Sequence, residues 1–134
     1  MKIINNISEE QLHQLQHLYE HKWWTKDRSF EETKQCIESS DVIIAIIDEN
    51  STLIAFARCL TDYIFKAIIF DVIVSKKHRG NKLGKTLMQE LMNHEKLKSV
   101  RHFELYCLDE VKEFYEDLGF SPEVSGVKLM RKKV

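Results

Sequence analysis

The chain has 134 residues and a mass of 15.9 kDa, which suits one domain with one core and is too short for two ordinary domains. Its hydrophobic fraction of 43% and charged fraction of 31% are typical of a globular protein, and a single proline argues against a long disordered segment. A net charge of −1 gives no overall attraction to nucleic acid or to an anionic membrane, so we expect neither as a partner.

The cysteines and the N-terminus also exclude some classes of protein. Cys36, Cys59 and Cys107 are widely spaced with no CxxC pair, and the six histidines are scattered. The sequence therefore predicts no metal site. The N-terminal residues have no apolar stretch of signal-peptide length, and no window approaches ~18 uninterrupted apolar residues. We expect a cytoplasmic protein.

Two helices are predicted first, each with a capping box at its start. Ser8 with Gln11, and Ser29 with Glu32, have the spacing at which a serine and a polar side chain three residues later cap each other's main-chain N–H groups. Leucines at helical spacing follow Ser8 and predict a buried face. The connection between the helices contains two adjacent tryptophans among charged residues.

Three strands are predicted next, at residues 42–47, 53–60 and 67–74. Short turns join them, which indicates an antiparallel meander. The third run, AIIFDVIV, is apolar apart from Asp71, so we expect a central strand covered on both faces. An ionisable group there is costly unless it is paired or used in chemistry.

The rest of the chain alternates helices and strands. A basic loop, HRGNKLGKTL, leads into a helix predicted from Leu83 to about Met92 or Glu95, and a strand is predicted at 100–108. Asp109 is predicted to cap a short helix that ends at Gly119, and VKLMRK is predicted to form a last strand. The fold class is therefore α+β, one domain over residues 1–134 in the order α-α-β-β-β-α-β-α-β, with a mixed, mostly antiparallel sheet flanked by helices.

The basic loop indicates an anion site. A Walker loop needs four residues between its glycines and this chain has three, while a Rossmann fingerprint needs a parallel βαβ unit rather than a meander. The remaining interpretation is a strand followed by a loop whose amides, together with a helix N-terminus, hold a pyrophosphate.

Two segments resemble the GNAT superfamily of N-acetyltransferases. Residues 79–84, RGNKLG, resemble that family's pyrophosphate loop, with Lys82 replacing its usual middle glycine. Residues 113–120, EFYEDLGF, resemble its fourth helix, in which Tyr115 precedes a Gly-Phe pair by a fixed interval. Leu108 stands where many relatives carry an asparagine that holds the pantetheine arm, so that contact is not carried over. The resemblance implies the GNAT fold and acetyl-CoA as the acetyl donor.

The resemblance also implies site residues. Main-chain groups of Val72 and Val74 would pair with the pantetheine arm, and the amide of Ile73 or Val74 would hold the oxyanion. The pyrophosphate would be bound by the loop, namely Arg79, Gly80, Asn81, Lys82, Leu83, Gly84 and Lys85, with a hydroxyl from Thr86. Tyr115 resembles the general acid that protonates the leaving thiolate, with a core position as the alternative.

The base and the acceptor site stay open at the level of sequence. Asp71 is a candidate base, and the alternatives are a buried ion pair with Arg58 and a water relay. The candidate acceptor-binding residues are Trp23, Trp24, Arg28, Arg58, Asp62 and Tyr63.

The functional prediction is direct acetyl transfer to a primary amine of a small molecule. The alternatives are a non-catalytic acyl-CoA sensor, a protein-lysine or N-terminal acetyltransferase, and an unrelated phosphate- or nucleotide-binding domain. A homodimer formed through the final strand is an expectation from the resemblance.

Overall fold

A computed structural model describes all 134 residues of the chain. The sheet has five strands, and four α-helices and two short 3₁₀ turns accompany it. The elements are β1 (Lys2–Ile4), α1 (Glu9–Glu20), α2 (Phe30–Ser39), β2 (Val42–Ile47), β3 (Leu53–Thr61), β4 (Lys66–Val74), a 3₁₀ turn (Lys76–His78), α3 (Leu83–Met92), a 3₁₀ turn (Glu95–Leu97), β5 (His102–Leu105) and α4 (Asp109–Glu116). None of the helices is long and apolar enough to cross a membrane.

The strands lie in chain order across the sheet, β1-β2-β3-β4-β5. Short turns join β2, β3 and β4 as antiparallel neighbours, and β1 pairs antiparallel with β2 across the two intervening helices. Strand β5 joins β4 in parallel after the crossover through α3. The predicted meander and the predicted α+β class with a mixed, mostly antiparallel sheet are therefore confirmed.

The sheet is covered on both faces. Helix α3 places Leu87, Met88 and Leu91 against one face, where they pack with alternate residues of β2 and β3. Helix α1 places Leu15 and Tyr19 against the other face, over Phe56. Every residue of β2 is buried, whereas much of β4 is half-buried. The strand predicted to be central has two neighbours but is covered less completely than predicted, because β4 separates from β5 halfway along.

The helix starts follow the sequence closely. Ser8 and Gln11 exchange two hydrogen bonds of 2.9 and 3.1 Å, and Ser29 and Glu32 do the same at 2.9 and 3.1 Å, so both predicted capping boxes are formed. Helix α3 ends at Met92, the earlier of the two predicted ends. Helix α4 begins one residue earlier than predicted, because Leu108 is the N-cap and Asp109 is already the first helical residue.

The strands differ from the prediction in three places. Strand β1, a three-residue edge strand that pairs with β2, carries no sequence signal. The predicted strand 100–108 is only His102–Leu105, because the N–H of Val100 donates to the carbonyl of Leu97 in the preceding 3₁₀ turn and the N–H of Arg101 donates to the carbonyl of Ile64 in the β3–β4 turn, while the pairing with β4 ends at Leu105. The predicted last strand VKLMRK does not form; those residues have no strand partner and are exposed.

Gly119 ends α4 in a Schellman motif. Its N–H donates to the carbonyl of Glu116 at 2.9 Å, and the N–H of Phe120 donates to the carbonyl of Tyr115 at 3.1 Å. Gly119 adopts φ +97°, which a residue with a Cβ reaches only at a cost. The motif folds Phe120 back onto Tyr115, with ring centroids 6.1 Å apart. The predicted role of Gly119 as a helix C-cap is confirmed.

Replacing Gly119 by alanine is expected to lower the free energy of unfolding by about 1 kcal/mol, because a Cβ is disfavoured at this positive φ. Urea denaturation of the variant and of Glu113→Ala, an exposed position on the same helix, measures the difference. A Gly119→Ala variant as stable as Glu113→Ala would show that the helix end relaxes without strain.

Candidate active site

A bulge interrupts β4 at Asp71. Phe56 of β3 pairs with Ile73 and Arg58 pairs with Phe70, so two residues of β4 lie opposite one residue of β3. Asp71 is the first residue of the bulge and has φ +56°, in the left-handed region. Aspartate enters this region more readily than most residues with a side chain. The bulge directs the Asp71 side chain toward α1 and the α1–α2 connection.

The Asp71 carboxylate accepts four hydrogen bonds from three other side chains. Arg28 donates from Nη1 at 2.8 Å and from Nη2 at 3.2 Å, and Arg58 donates from Nε at 2.7 Å. The Tyr19 hydroxyl donates at 3.2 Å. The Asp71 side chain is only 5% exposed. The buried ion pair between Asp71 and Arg58, one of the alternatives from the sequence, is present, and Arg28 extends it.

These contacts set the protonation states of the cluster. Burial alone would raise the pKa of the Asp71 carboxyl, but the hydrogen bonds and charges of Arg28 and Arg58 outweigh it and hold that pKa below its ordinary value. Burial, together with the charge of Asp71, raises the pKa of Tyr19, so the tyrosine stays neutral. A carboxylate held this firmly as an anion is a weak proton acceptor, which is unfavourable for a general base.

Beyond the bulge, β4 and β5 separate. The last paired residues are Ile69 and Leu105, and β4 continues to Val74 without a partner on that side. The predicted cofactor residues Val72, Ile73 and Val74 all lie in this unpaired part of β4. Main-chain groups on that edge are therefore available to an extended ligand, as an added strand would use them.

The loop after β4 presents a run of free main-chain amides. No main-chain N–H from Arg79 to Lys85 donates a hydrogen bond within the chain, and Thr86 is the first that does, to the carbonyl of Lys82 at 3.1 Å. The start of α3 therefore has no cap of its own, although buried or partly buried N–H groups need a partner. Amides arranged in this way favour an anion.

A cavity of about 440 Å³ opens onto these amides. Most of the predicted pyrophosphate residues line it together with Val74, and the additional lining residues are His78, Phe114, Asp117 and Leu118. Asn81 and Thr86 are not among the lining residues, and the Thr86 hydroxyl donates to the Lys82 carbonyl at 3.2 Å. Three cationic side chains against one carboxylate make the cavity suited to an anion.

The glycines and Lys82 shape the loop. Gly80 has φ +89° and open space around it, and Gly84 lies so close to α4 that a Cβ would approach the Phe114 ring at 3.2 Å. Lys82, where the resembling family has a glycine, keeps the left-handed conformation at φ +59°. The lysine therefore retains the backbone of a glycine position and adds a charge to the cavity.

Tyr115 lies beside this cavity rather than in its lining. It packs half-buried against the core cluster on the α3 face, between Phe114 and Phe120. Its hydroxyl has no hydrogen-bond partner in the chain and is not among the atoms closed off from solvent. Burial, and then the charge of Cys107, raise the pKa of Tyr115 to about 12, so the phenol keeps its proton. A free, protonated hydroxyl suits a proton donor and equally fits a core residue.

The α1–α2 connection links the Asp71 cluster to the basic loop. Arg28 at one end of the connection binds Asp71, and Lys22 at the other end lies close enough to Arg79 that the arginine charge, added to burial, lowers the pKa of the lysine. Trp23 and Trp24 lie between them, edge to face at 6.0 Å, and Trp23 is 65% exposed. Three of the predicted acceptor-site residues, Trp23, Trp24 and Arg28, therefore lie in this one connection.

Asp62 and Tyr63 lie elsewhere. They form the β3–β4 turn, where the Asp62 carboxylate accepts from the main-chain N–H groups of residues 64–66 and its pKa is lowered as a result. Four strand residues, or about 13 Å at ~3.3 Å per residue, separate the start of β4 from Phe70. The structure therefore does not bring Asp62 and Tyr63 together with the Asp71 cluster.

Sequence reasoning missed several residues of the site. Tyr19 and Lys22 carry no sequence pattern that marks them as site residues. His78 lines the cavity with its Nδ1 buried and without a hydrogen-bond partner. A signal for His78 was available, since it directly precedes the predicted pyrophosphate loop; none was available for Tyr19, whose partner is 52 residues away.

Comparisons with known proteins agree with this fold. The profile of the acetyltransferase (GNAT) family matches residues 8–120. An uncharacterised N-acetyltransferase of Pyropia yezoensis, ycf52, is 33% identical over 122 residues, which are 89% of this chain and 70% of that protein. The chloroplastic serotonin N-acetyltransferase 2 of Oryza sativa subsp. japonica is 30% identical over 77% of this chain and 53% of its own length.

A solved structure shows the same architecture. A Xanthomonas campestris pv. campestris protein, described as belonging to the GNAT family, superposes with a TM-score of 0.83 at 28% identity, covering 100% of this chain and 94% of that one. The architecture is therefore that of GNAT acetyltransferases. The chain belongs to the GNAT family of N-acetyltransferases, which use acetyl-CoA as co-substrate.

Asp71→Asn is expected to lower the free energy of unfolding by about 2–3 kcal/mol at pH 7, because two guanidinium groups lose their counter-charge. Asparagine also accepts the left-handed backbone, so the substitution isolates the charge. Glu104→Gln, which breaks the exposed pair with Lys66, is the matched control and should cost less than about 1 kcal/mol.

The loss should also depend on pH. The folded-state pKa of Asp71 is lowered, so its stabilisation is complete above the unfolded pKa of about 3.9 and disappears as pH falls below that value. The difference between wild type and Asp71→Asn should be constant from about pH 5 to 8 and narrow below about pH 4. A gap that widens in acid would contradict this account.

Proposed function

We propose that this protein transfers the acetyl group of acetyl-CoA to a primary amine of a small molecule, by direct attack within a ternary complex. The observation that supports it is the run of free amides from Arg79 to Lys85, which opens onto a basic cavity at the end of a strand with an unpaired edge. That arrangement suits a ligand with an anionic head and an extended, amide-containing arm.

The residues present fit such a ligand. The loop amides, Lys82 and Lys85 would hold the pyrophosphate, and the unpartnered Nδ1 of His78 is a further group for it. The open space around Gly80 leaves the main chain accessible. Main-chain groups of Val72 and Val74 would hold the pantetheine arm, and the amide of Ile73 or Val74 would polarise the carbonyl under attack.

When bound, acetyl-CoA supplies the activated acetyl thioester: the amine nitrogen gains the bond to carbon, sulfur loses it, the amine gives up a proton and the sulfur gains one. Tyr115 is proposed to provide the proton for sulfur. Its pKa of about 12 keeps the phenol protonated at neutral pH but makes it a weak acid. Its proton would therefore move late, once charge has built up on the sulfur.

We propose that water, rather than Asp71, accepts the proton that the amine loses. All four hydrogen bonds to the Asp71 carboxylate come from buried or partly buried side chains, and two of those side chains are cationic. Asp71 is instead proposed as a positioning residue that fixes the bulge, and with it the direction of the amides of residues 72–74.

The acceptor and the catalytic role each have an alternative. A protein-lysine or N-terminal acceptor is less favoured because the sequence contains no extended acidic or apolar docking stretch. A non-catalytic acyl-CoA sensor is favoured only by Leu108 and Lys82, and Lys82 keeps the loop backbone of a glycine. A homodimer and a cytoplasmic location stay predictions from the sequence.

Lys82→Ala and Lys85→Ala are each expected to weaken CoA binding by roughly 3–10-fold, because each removes one charge from a solvent-accessible cavity. Stability should hardly change, since lysine and alanine meet the same backbone cost at residue 82. Calorimetric titration with CoA gives the affinities, and Lys98→Ala, an exposed lysine outside the cavity, is the control. Equal affinities in all four proteins would exclude this loop as the phosphate site.

Tyr115→Phe is expected to lower kcat about 100-fold while changing the KM for acetyl-CoA less than about 2-fold, because a general acid acts in the transition state and not in binding. Free thiol released from acetyl-CoA, measured against a panel of primary amines, reports turnover. Tyr63→Phe, in the distant β3–β4 turn, is the matched control.

The pH profile tests the same role. An acid with a pKa of about 12 stays protonated as pH rises from 8 to 10. The kcat of wild type and the kcat of Tyr115→Phe should therefore depend on pH in the same way over this range. An unchanged kcat in Tyr115→Phe would assign Tyr115 to the core. Binding of CoA with no amine acetylated, across a broad panel, would favour the sensor.

A further inference from the structure

The Asp71 cluster carries more positive charge than its own carboxylate can neutralise. Arg28 and Arg58 form ion pairs only with Asp71, and Tyr19 is neutral. A further carboxylate, Glu32, feels the charge of Arg28 but uses its side chain to cap Ser29 and forms no ion pair. Two guanidinium groups and one carboxylate leave a net charge of +1.

The cluster also has more hydrogen-bond donors than acceptors, because part of the Arg58 guanidinium is unpaired. Arg58 uses only Nε toward Asp71, and its two terminal nitrogens donate to nothing in the chain. Its side chain is 10% exposed, and neither terminal nitrogen is closed off from solvent. The guanidinium stacks on the Phe70 ring at 4.9 Å, which holds its plane in place. A nearly buried arginine therefore turns a fixed pair of N–H donors toward the surface.

Stability does not account for this arrangement. One arginine would neutralise Asp71, and desolvating a second guanidinium costs free energy unless all its donors are paired. The planar fork of arginine is matched by the two oxygens of a carboxylate or a phosphate. The unpaired donors and the excess charge are both satisfied by one anionic group.

The position of Arg58 connects that anion to the reaction. Its strand partner is Phe70, the first residue of β4 beyond the last β4–β5 pair, and the bulge residue Asp71 follows directly. An anion held by Arg58 would therefore lie at the mouth of the opening between β4 and β5, on the side covered by the α1–α2 connection.

We propose that the acceptor amine carries an acidic group, a carboxylate or a phosphate, and that the terminal nitrogens of Arg58, with Arg28 behind them, bind it. This inference rests on the proposed function and narrows its substrate class to amino acids in the wide sense or to aminoalkyl phosphates. Arg58 is then the residue that determines specificity, and Asp71 holds it in position.

The test compares amines that differ only in the acid. We would measure kcat/KM for 4-aminobutyrate against butylamine, and for O-phosphoethanolamine against ethanolamine, by thiol release. At least one anionic member should be preferred by roughly 10-fold or more, as charge-assisted hydrogen bonds suggest, and the favoured pair identifies carboxylate or phosphate. Equal or better use of both neutral members would overturn the inference.

Variants separate recognition from folding. Arg58→Lys keeps the charge but loses the fork, and should reduce the anionic-to-neutral ratio to below about 3-fold. Arg101→Lys is the matched control, because Arg101 also stacks on an aromatic ring at 4.9 Å but outside the cluster, and its ratio should equal that of wild type. An Arg58→Lys ratio equal to wild type would also overturn the inference.

A binding measurement distinguishes failure of the inference from failure of the proposed function. With CoA present, so that the basic loop is occupied, butyrate and methylphosphonate are titrated into wild type and Arg58→Lys. If no amine is acetylated but one anion binds wild type at least about 5-fold more tightly than the variant, the anion site stands and the catalytic proposal fails. If neither anion distinguishes the two proteins, the anion site is wrong, whether or not the enzyme turns over. If CoA itself does not bind, the same titration without CoA decides the anion site alone.

Discussion

The site depends on one carboxylate at an uncommon backbone position. Asp71 is the bulge residue of β4, and its four hydrogen bonds come from α1, the α1–α2 connection and β3. A bulge opposite Ala57 turns the remainder of β4 away from its regular pairing and leaves the amides of residues 72–74 beside a gap that β5 does not fill. The Asp71 carboxylate thus stabilises the bulge that leaves main-chain groups of β4 exposed. It also binds the side chains that lie around these groups. A strained backbone persists only where its surroundings fix it, and here two arginines and a tyrosine do so.

Two separate concentrations of positive charge follow from this arrangement in a chain whose net charge is −1. One is the loop from Arg79 to Lys85, where amides and flexible lysines face an open cavity. The other is the pair Arg28 and Arg58, whose side chains are 25% and 10% exposed and are both bonded to Asp71. Flexible, hydrated lysines suit a phosphate that binds and leaves, whereas a stacked arginine fork suits bidentate recognition of a carboxylate or a phosphate. The α1–α2 connection contributes to both regions, because Arg28 binds Asp71 and the charge of Arg79 helps to lower the pKa of Lys22.

The sequence predicted local features better than features that need a distant partner. The capping boxes at Ser8 and Ser29, the meander and the start and end of α3 are decided by neighbouring residues and by hydrophobic periodicity, and all are formed. The bulge was out of reach, because Asp71 reads as a polar residue in a strand until Arg28, 43 residues away, is placed beside it. The last strand failed for a related reason: VKLMRK alternates as a strand should, but alternation does not supply an edge to pair with, and β5 is only four residues long. In the candidate site, most of the predicted loop residues line one cavity, because they are contiguous in sequence. Asp62 and Tyr63 lie in the β3–β4 turn, away from the Asp71 cluster, and sequence alone does not distinguish an aspartate that caps a turn from one that binds a ligand.

The fixed interval between Tyr115 and the Gly-Phe pair has a physical cause in the helix end. In a Schellman motif the residue after the left-handed position returns to the residue five places earlier, and here that geometry places Phe120 on Tyr115. Phe114, the adjacent ring, closes the other side of the tyrosine and also fills the space left by the missing side chain of Gly84. Gly84 lets α3 approach α4, and Gly119 turns the chain back after α4. Both glycines therefore help to position the Tyr115 side chain. The rings on the two sides of Tyr115 are thus positioned by backbone geometry. The Tyr115 side chain is held by these ring contacts without a hydrogen bond to its hydroxyl, which stays free to donate one.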